Sequence, residues 1–510
     1  MKSPRLKKWR RWMGRILVVL VLWLALFILE ENVRGRILLG RYQAELRAQG
    51  EKLTLAKLDF PRPPMDGKRT AGLLALTNQL NALRKDCPFP VDSVARLRLA
   101  APEHAIVRAQ QLDLGVARKP YARLSERASW ADLAEQAARV VDTLAKLKTV
   151  VAQPAAGVAI DYTQGMEVRL PHLNVVRDGA NWLALAALND LHHRDYAAAA
   201  SNIVAIAALS RFQNNEQFTY AQLARTKAVE AGLNMTWEAL QTSGWTEEQL
   251  VSLQQAWHTS SVIDDTVSAL EVERVLNRDY FEQARHLAGW NKLRMNLLYQ
   301  TQFGSGGYSL RAFFSDAGRS LQAIAWRLAW LDQDEVRFLQ RWQLALDRIR
   351  DAVARRAWSA AHLSDDNFPT ARHRYDGWRF LLSDCLAPNI EHTLLPLFEF
   401  ETRREMTVAA IAIERHRLRT GKLPSDLAAV VPEYLPQLPH DWMDGNPLRY
   451  HPKADGTFIL YSVGADGHDD GGDPKPADRP RALSMWDGRD AVWPQPATKA
   501  EVAAAEVRRQ

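Results

Sequence analysis

Two neighbouring runs decide the fold class: Ala180–Leu191, ANWLALAALNDL, and, across the joint His192-His193-Arg194-Asp195, Tyr196–Phe212, YAAAASNIVAIAALSRF. In both segments apolar residues return every three or four positions, the period of one helix face, and four polar residues between them reverse the chain. Ala221–Leu240 repeats the pattern after the polar joint Gln213-Asn214-Asn215-Glu216. The reading is a series of antiparallel helical hairpins. Thr246, followed by Glu247, Glu248 and Leu250, opens a further helix, because a Thr before two carboxylates caps exposed amides and complements the helix dipole. Asp195-Tyr196-Ala197-Ala198-Ala199 looks like the small-residue corner of tetratricopeptide-type hairpins, but no 34-residue period accompanies it.

The same helical texture extends outward from Arg34 to about Glu405. Phe60-Pro61-Arg62-Pro63-Pro64-Met65-Asp66-Gly67 interrupts it as an extended joint, since each proline disfavours the helical region for the residue before it. Phe303-Gly304-Ser305-Gly306-Gly307-Tyr308 reads as a solvated hinge, lacking the spacing of a phosphate-binding loop. With 510 residues, 47% of them hydrophobic and 25% charged, the chain is globular and long enough for two or three cores.

The formal charge of +7 has a local origin. Lys2, Arg5, Lys7, Lys8, Arg10, Arg11 and Arg15 crowd the first fifteen residues with no acidic neighbour. Taking those seven from the 66 basic residues leaves as many cations as the 59 acidic side chains. The body is therefore balanced, which argues against a nucleic-acid surface. Ile16–Leu29, ILVVLVLWLALFIL, comes directly after the basic tail. Trp12, Met13 and Gly14 extend the run while Arg15 can snorkel, and no small-residue cleavage site precedes Glu30 and Glu31, so an uncleaved anchor is expected in preference to a signal peptide. Dense cations before the span place the N-terminus in the cytoplasm and the remainder across the membrane. In a Gram-negative bacterium that means an inner-membrane protein with a periplasmic body.

Cys87 and Cys385 are the two cysteines. A bridge between them and two separate buried thiols both stay open, and the absence of a CxxC pair removes zinc-ribbon and thioredoxin-type chemistry.

From Glu401 the pattern changes. Met406, Ala409, Ile413 and Leu418 keep helical spacing, Gly421 provides a stop, Ser425 caps a short helix carrying Leu427, Val430 and Val431, and prolines 432, 436 and 439 make the path irregular. Pro447–Tyr450 and Thr457–Val463, joined by Ala454-Asp455-Gly456, predict a β-hairpin. In this region the sequence resembles the C-terminal part of the type II secretion major pseudopilin. The matching residues are Ala412–Pro424 (AIERHRLRTGKLP), Leu427 with Val430-Val431-Pro432, Leu438-Pro439-His440-Asp441, Gly445-Asn446-Pro447-Leu448-Arg449-Tyr450, Phe458–Gly467 (FILYSVGADG), Gly471-Gly472 and Asp490-Ala491-Val492-Trp493. They span about ninety residues, under a fifth of the chain. The resemblance implies a structural head and a calcium site in the loop after Ser462. Asp466, Asp469, Asp470 and Asp473, with Asp490 closing the set, supply carboxylates for a hard cation that takes six to eight oxygens. A solvated acidic loop is the other reading.

The sequence also departs from that family. Its DPWG turn is here Asp441-Trp442-Met443-Asp444-Gly445, and the hydrophobic segment lies nearly four hundred residues before Ala412 instead of leading directly into the head. The expected organisation is therefore mainly α: a basic tail (1–15), a transmembrane anchor (16–29), a helical-hairpin ectodomain (30–400), an α+β pseudopilin-like module (401–495) and a tail (496–510). The leading function is a single-pass envelope scaffold with a protein partner. A membrane-tethered hydrolase, using His362, Asp365, Asp366, His373 and Asp376 near Trp378, is the first alternative, and an atypical pseudopilin is the second. His192, His193 and Asp195 are read as a polar helix joint, because neighbouring histidines diverge by about 100° on a helix.

Overall fold

A computed structural model describes residues 4–58, 60, 67–86, 130–153, 160–168, 170, 172–211, 216–286, 322–361, 376–386, 390–475 and 485–495. The chain is mainly helical, with one small three-stranded sheet near the C-terminus. The glycine loop at 303–308, the proline joint at 61–66, Cys87 and the residues His362, Asp365, Asp366 and His373 lie outside the described residues. Cys385 is a free, exposed thiol.

The helices are α1 (Pro4–Ala48), α2 (Gly67–Asp86), α3 (Trp130–Ala152), α4 (His172–His192), α5 (Tyr196–Arg211), α6 (Thr219–Leu240), α7 (Glu247–His258), α8 (Thr266–Arg285), α9 (Leu331–Arg355) and α10 (Ile390–Thr420). Helices α4, α5 and α6 fall where the periodicity placed them. The joint between α4 and α5 is closed by Asp195, which accepts the Ala198 N–H at 3.0 Å, and by Arg194 at φ 59°. Thr246 caps α7 in a reciprocal box whose partner is Gln249 rather than the two glutamates. The hairpins stack in two layers, with α3, α5 and α7 side by side in one and α2, α4 and α6 in the other. The layers meet closely at Gly232, where an added methyl would lie 2.4 Å from the Trp257 ring.

Helix α1 is the one described helix long and apolar enough to cross a membrane. It does not end with its apolar run. From Glu31 its buried positions are Glu31, Gly35, Leu39, Gln43 and Leu46, a three-to-four spacing that presents one stripe to α9. Gly35 permits the close crossing, since a methyl there would sit 3.2 Å from Asp332 and Gln333. The chain then turns, and Glu51 receives Arg274 at 2.8 Å and Arg350 at 2.6 Å, with Gln343 Nε2 donating at 2.9 Å. Burial opposes ionisation of Glu51, but the hydrogen bonds from Arg350, Gln343 and Arg274 prevail and hold its pKa at about 2. Buried Glu335 similarly gathers Arg278 at 2.7 Å, Gln43 at 3.1 Å and Arg285. Charged groups thus join α1, α8 and α9.

Helix α10 contributes side chains to three of the buried cores. Leu394, Leu397 and Phe398 enter the core shared with α1, α8 and α9. Val408, Ile411 and Ala412 enter the hairpin core. Met406, Ala409, Ala410 and Ile413 form a third core with Leu448, Tyr450, Leu460 and Trp493 of the C-terminal segment. The boundary expected at residue 401 consequently falls inside one helix. The polar stretch Glu401-Thr402-Arg403-Arg404-Glu405 does not break the helix, and its first four residues are buried. Arg404 pairs with Glu401 at 2.7 Å and with Glu405, and donates to the Trp257 carbonyl at 3.1 Å. Leu418, expected on the apolar stripe, is exposed past the end of the contact.

After Gly421 (φ 72°) the chain forms a short turn, Leu427–Val430, capped by Asp426 and not by Ser425. Strands β1 (Arg449–Pro452), β2 (Phe458–Ser462) and β3 (Ala491–Val492) pair antiparallel in that order, with Arg449 opposite Tyr461 and Ser462 opposite Ala491.

Candidate functional site

A groove of about 680 Å³ opens on the α3–α5–α7 layer. Its floor is one face of α5: Ala197, Ala200, Ser201, Val204, Ala205 and Ala208 recur at helical spacing, and their small side chains leave room between the flanking helices. Lys148, Val151 and Ala152 of α3, with Gln153 beyond its end, form one wall, and Glu248, Gln249 and Ser252 of α7 form the other. Arg211 closes one end, where its guanidinium donates to the Ala256 carbonyl at 3.0 Å and to Thr259 and Ser260 at 3.1 Å. Burial lowers the pKa of Lys148, and Asp190 acts in the opposite direction.

Lys148 Nζ lies 3.3 Å from Ser201 Oγ. That pairing has the residue types of a serine–lysine nucleophile, but Ser201 is in mid-helix and the surrounding N–H groups belong to the α5 ladder. The α5 N–H groups next to Ser201 are therefore not placed to stabilise an oxyanion. The arrangement suits binding: an open apolar trough with one ammonium on its wall.

The fold gathers much of the expected calcium set around Asp490, with Ser462 on the strand paired beside it. Ser462 is fully buried and donates to Asp441 Oδ1 at 2.7 Å. Asp490, also fully buried, accepts N–H groups from Gly472 at 2.7 Å, Asp473 at 3.2 Å and Asp470 at 3.3 Å, so the acidic loop is wrapped around this carboxylate. Burial raises the pKa of Asp490 while those three donors lower it, with the net direction upward. Asp466, Asp469 and Asp473 each accept the N–H two residues ahead, from His468, Gly471 and Lys475. Asp470 lies 3.5 Å from His468 Nδ1. Among the described residues no three His, Cys, Asp or Glu side chains converge as a metal-binding group. Three of these carboxylates thus close Asx turns through one oxygen each, the usual role of Asp in a tight loop.

Asp441 is the polar centre of the head. It accepts Met443 N–H at 3.0 Å, Val463 N–H at 3.1 Å, the Ser462 hydroxyl and Arg449 Nη1 at 2.7 Å. Burial dominates these contacts and lifts its pKa to about 6.

His192 stacks on Trp130 with ring centroids 3.9 Å apart, and His193 Nδ1 contacts the Asn189 carbonyl at 2.8 Å, which is the expected structural joint. Asp376 begins a one-turn helix, Asp376–Arg379. The sequence reading missed the groove and the buried His172–Glu216 pair, whose Nε2–Oε1 separation is 2.8 Å. Alanine spacing on α5 was a signal for the former; the latter joins residues 44 positions apart and had none. Comparison with protein-family models, curated proteins and solved structures finds no match to this chain.

Proposed function

We propose that the chain is a single-pass envelope scaffold, anchored by α1 with its N-terminus in the cytoplasm, whose groove docks an extended segment of a protein partner. The groove is the observation that carries this reading: it combines a small-residue floor, one wall of mixed polarity from α3 and one polar wall from α7, with a single lysine. Its favoured occupant is a peptide with small apolar side chains and a carboxylate facing Lys148. Support for an uncleaved anchor comes from α1 itself, which continues as unbroken helix from the apolar run into the docked half. The C-terminal segment enters the proposal as a pseudopilin-like head reused on a helical body. Calcium binding there, which the resemblance implies, would draw on the carboxylate oxygens of Asp466, Asp469 and Asp473 that their turn N–H groups leave open.

A photo-cross-linking residue at Val204, in intact membranes, tests the docking role. A discrete adduct is expected at Val204 and not at exposed Tyr220, and Lys148→Glu should remove it. Equal labelling at both positions, or an adduct indifferent to Lys148→Glu, would overturn it. Protease added to spheroplasts tests the topology independently: the ectodomain should be digested.

A further inference from the structure

We propose that the body also rests on the bilayer through a second, non-spanning contact made by Ile324, Leu328 and Trp330 beside α1. This rests on α1 being a membrane span. The relevant geometry is a level, read along α1 as along a ruler. Trp330 meets Phe27 edge-on with centroids 6.3 Å apart, and its indole N–H donates to Glu31 at 3.0 Å. The Leu328 carbonyl accepts from Asn32 Nδ2 at 3.0 Å. Residues 328–330 are thus level with positions 27–32 of α1.

A hydrocarbon core of roughly 30 Å takes about 20 helical residues. Centred on the apolar run 16–29, such a span reaches from about residue 13 to about residue 32. Whatever is exposed beside Phe27 and Asn32 therefore faces lipid or the interfacial zone, not bulk water.

The side chains at that level fit this environment. Ile324 and Leu328, four residues apart, are 43% and 45% exposed. Their neighbours Ala323, Trp326 and Ala329 are buried, so the apolar exposure is confined to the outward side of this stretch. The π-helical turn Trp326–Trp330 that carries it is fixed from within: Trp326 Nε1 and the backbone N–H groups of Leu382 and Ser383 all donate to buried Asp334, at 2.8, 2.8 and 3.2 Å. Trp330 has the amphipathic ring that favours the headgroup level. Just beyond, Arg34 and Arg36 are largely exposed and suit anionic headgroups.

Single cysteines in full-length protein with Cys87→Ser and Cys385→Ser, labelled with an environment-sensitive fluorophore and reconstituted in vesicles of phosphatidylcholine and phosphatidylglycerol, provide the test. Leu328→Cys and Ile324→Cys should be quenched by shallow spin-labelled lipid at least about twofold more than Tyr220→Cys, while Leu22→Cys responds to deep quencher. Quenching at Leu22→Cys with none above the Tyr220→Cys level at 324 and 328 overturns the second contact alone. Loss of quenching at Leu22→Cys overturns the anchor, and this proposal with it. Circular dichroism melts matching the unsubstituted chain establish that both surface variants are folded.

Discussion

The indole N–H of Trp237, in the hairpin layer, donates to the carbonyl of Pro494 at 2.9 Å, tying α6 to the chain beyond the last strand. Trp237 is also part of the core that Met406, Leu460 and Trp493 share. The head is therefore built on the body rather than beside it. A fragment of residues 401–510 should fail to fold, and the full ectodomain should melt in a single calorimetric transition. Trp237→Ala should lower that transition as a unit, by about 3–5 kcal/mol. Two separable transitions would contradict the shared core.

Gly232→Ala should destabilise the hairpin layer by about 1–3 kcal/mol, the usual cost of overpacking. The methyl would meet a Trp257 ring that is already held by its hydrogen bond to Thr236 at 2.8 Å. Urea unfolding monitored by far-ultraviolet circular dichroism measures the loss.

Glu399 gives the fold a pH dependence of definite sign. Burial first, and the neighbouring Asp487 charge second, raise its pKa from 4.5 to about 7. The folded chain thus retains a proton that the unfolded chain releases. The resulting stabilisation is complete below pH 4.5 and is lost as pH rises through about 7. Glu399→Gln should match the parent near pH 4 and exceed it at pH 8 by roughly 2–3 kcal/mol. Chemical denaturation at the two pH values checks both limits.

Asp490→Ala should loosen the acidic loop, because three N–H groups lose their common acceptor; Asp466→Ala should alter stability by about 0.5 kcal/mol or less. Hydrogen exchange at Asp470, Gly472 and Asp473 reports the first effect. Calcium and chelator should give the same melting temperature. A calcium-induced rise abolished by replacing Asp466 and Asp469 would show that the loop re-aims its carboxylates around an ion.

Glu51→Ala should release the docked half of α1, since buried Arg274 would lose its carboxylate while Arg350 would keep Glu271 and Asp347; removal of one partner from a buried pair typically costs about 3–5 kcal/mol. Faster amide exchange along residues 39–48, with exchange in α5 unchanged, is the expected signature.

Much of this architecture was legible locally. The alanine- and leucine-rich hairpins, the Thr246 cap and the strand pair around Asp455-Gly456 arise from period and turn chemistry acting over a few residues. Buried charge defeated the same reasoning. Glu31, Glu51, Glu335 and the Glu401–Glu405 stretch look like solvent-facing residues until partners from elsewhere in the fold are brought to them. The acidic loop held a feature of another kind: Asp466, Asp469 and Asp473 each hold the N–H two residues ahead, while the N–H groups of Asp470, Gly472 and Asp473 gather on buried Asp490. Neither outcome is encoded in spacing along the chain.

An unbroken α1 leaves the body without a swivel. In the proposed topology its docked half, from residue 31 to residue 48, is a lever arm of about 25 Å, so tilting the helix by about ten degrees sweeps its far end sideways by about 4 Å. Bilayers of different thickness change the tilt of such helices. The groove would then stand at an attitude set by the surrounding lipid, and a partner fixed in the same envelope would feel membrane thickness as a change in reach.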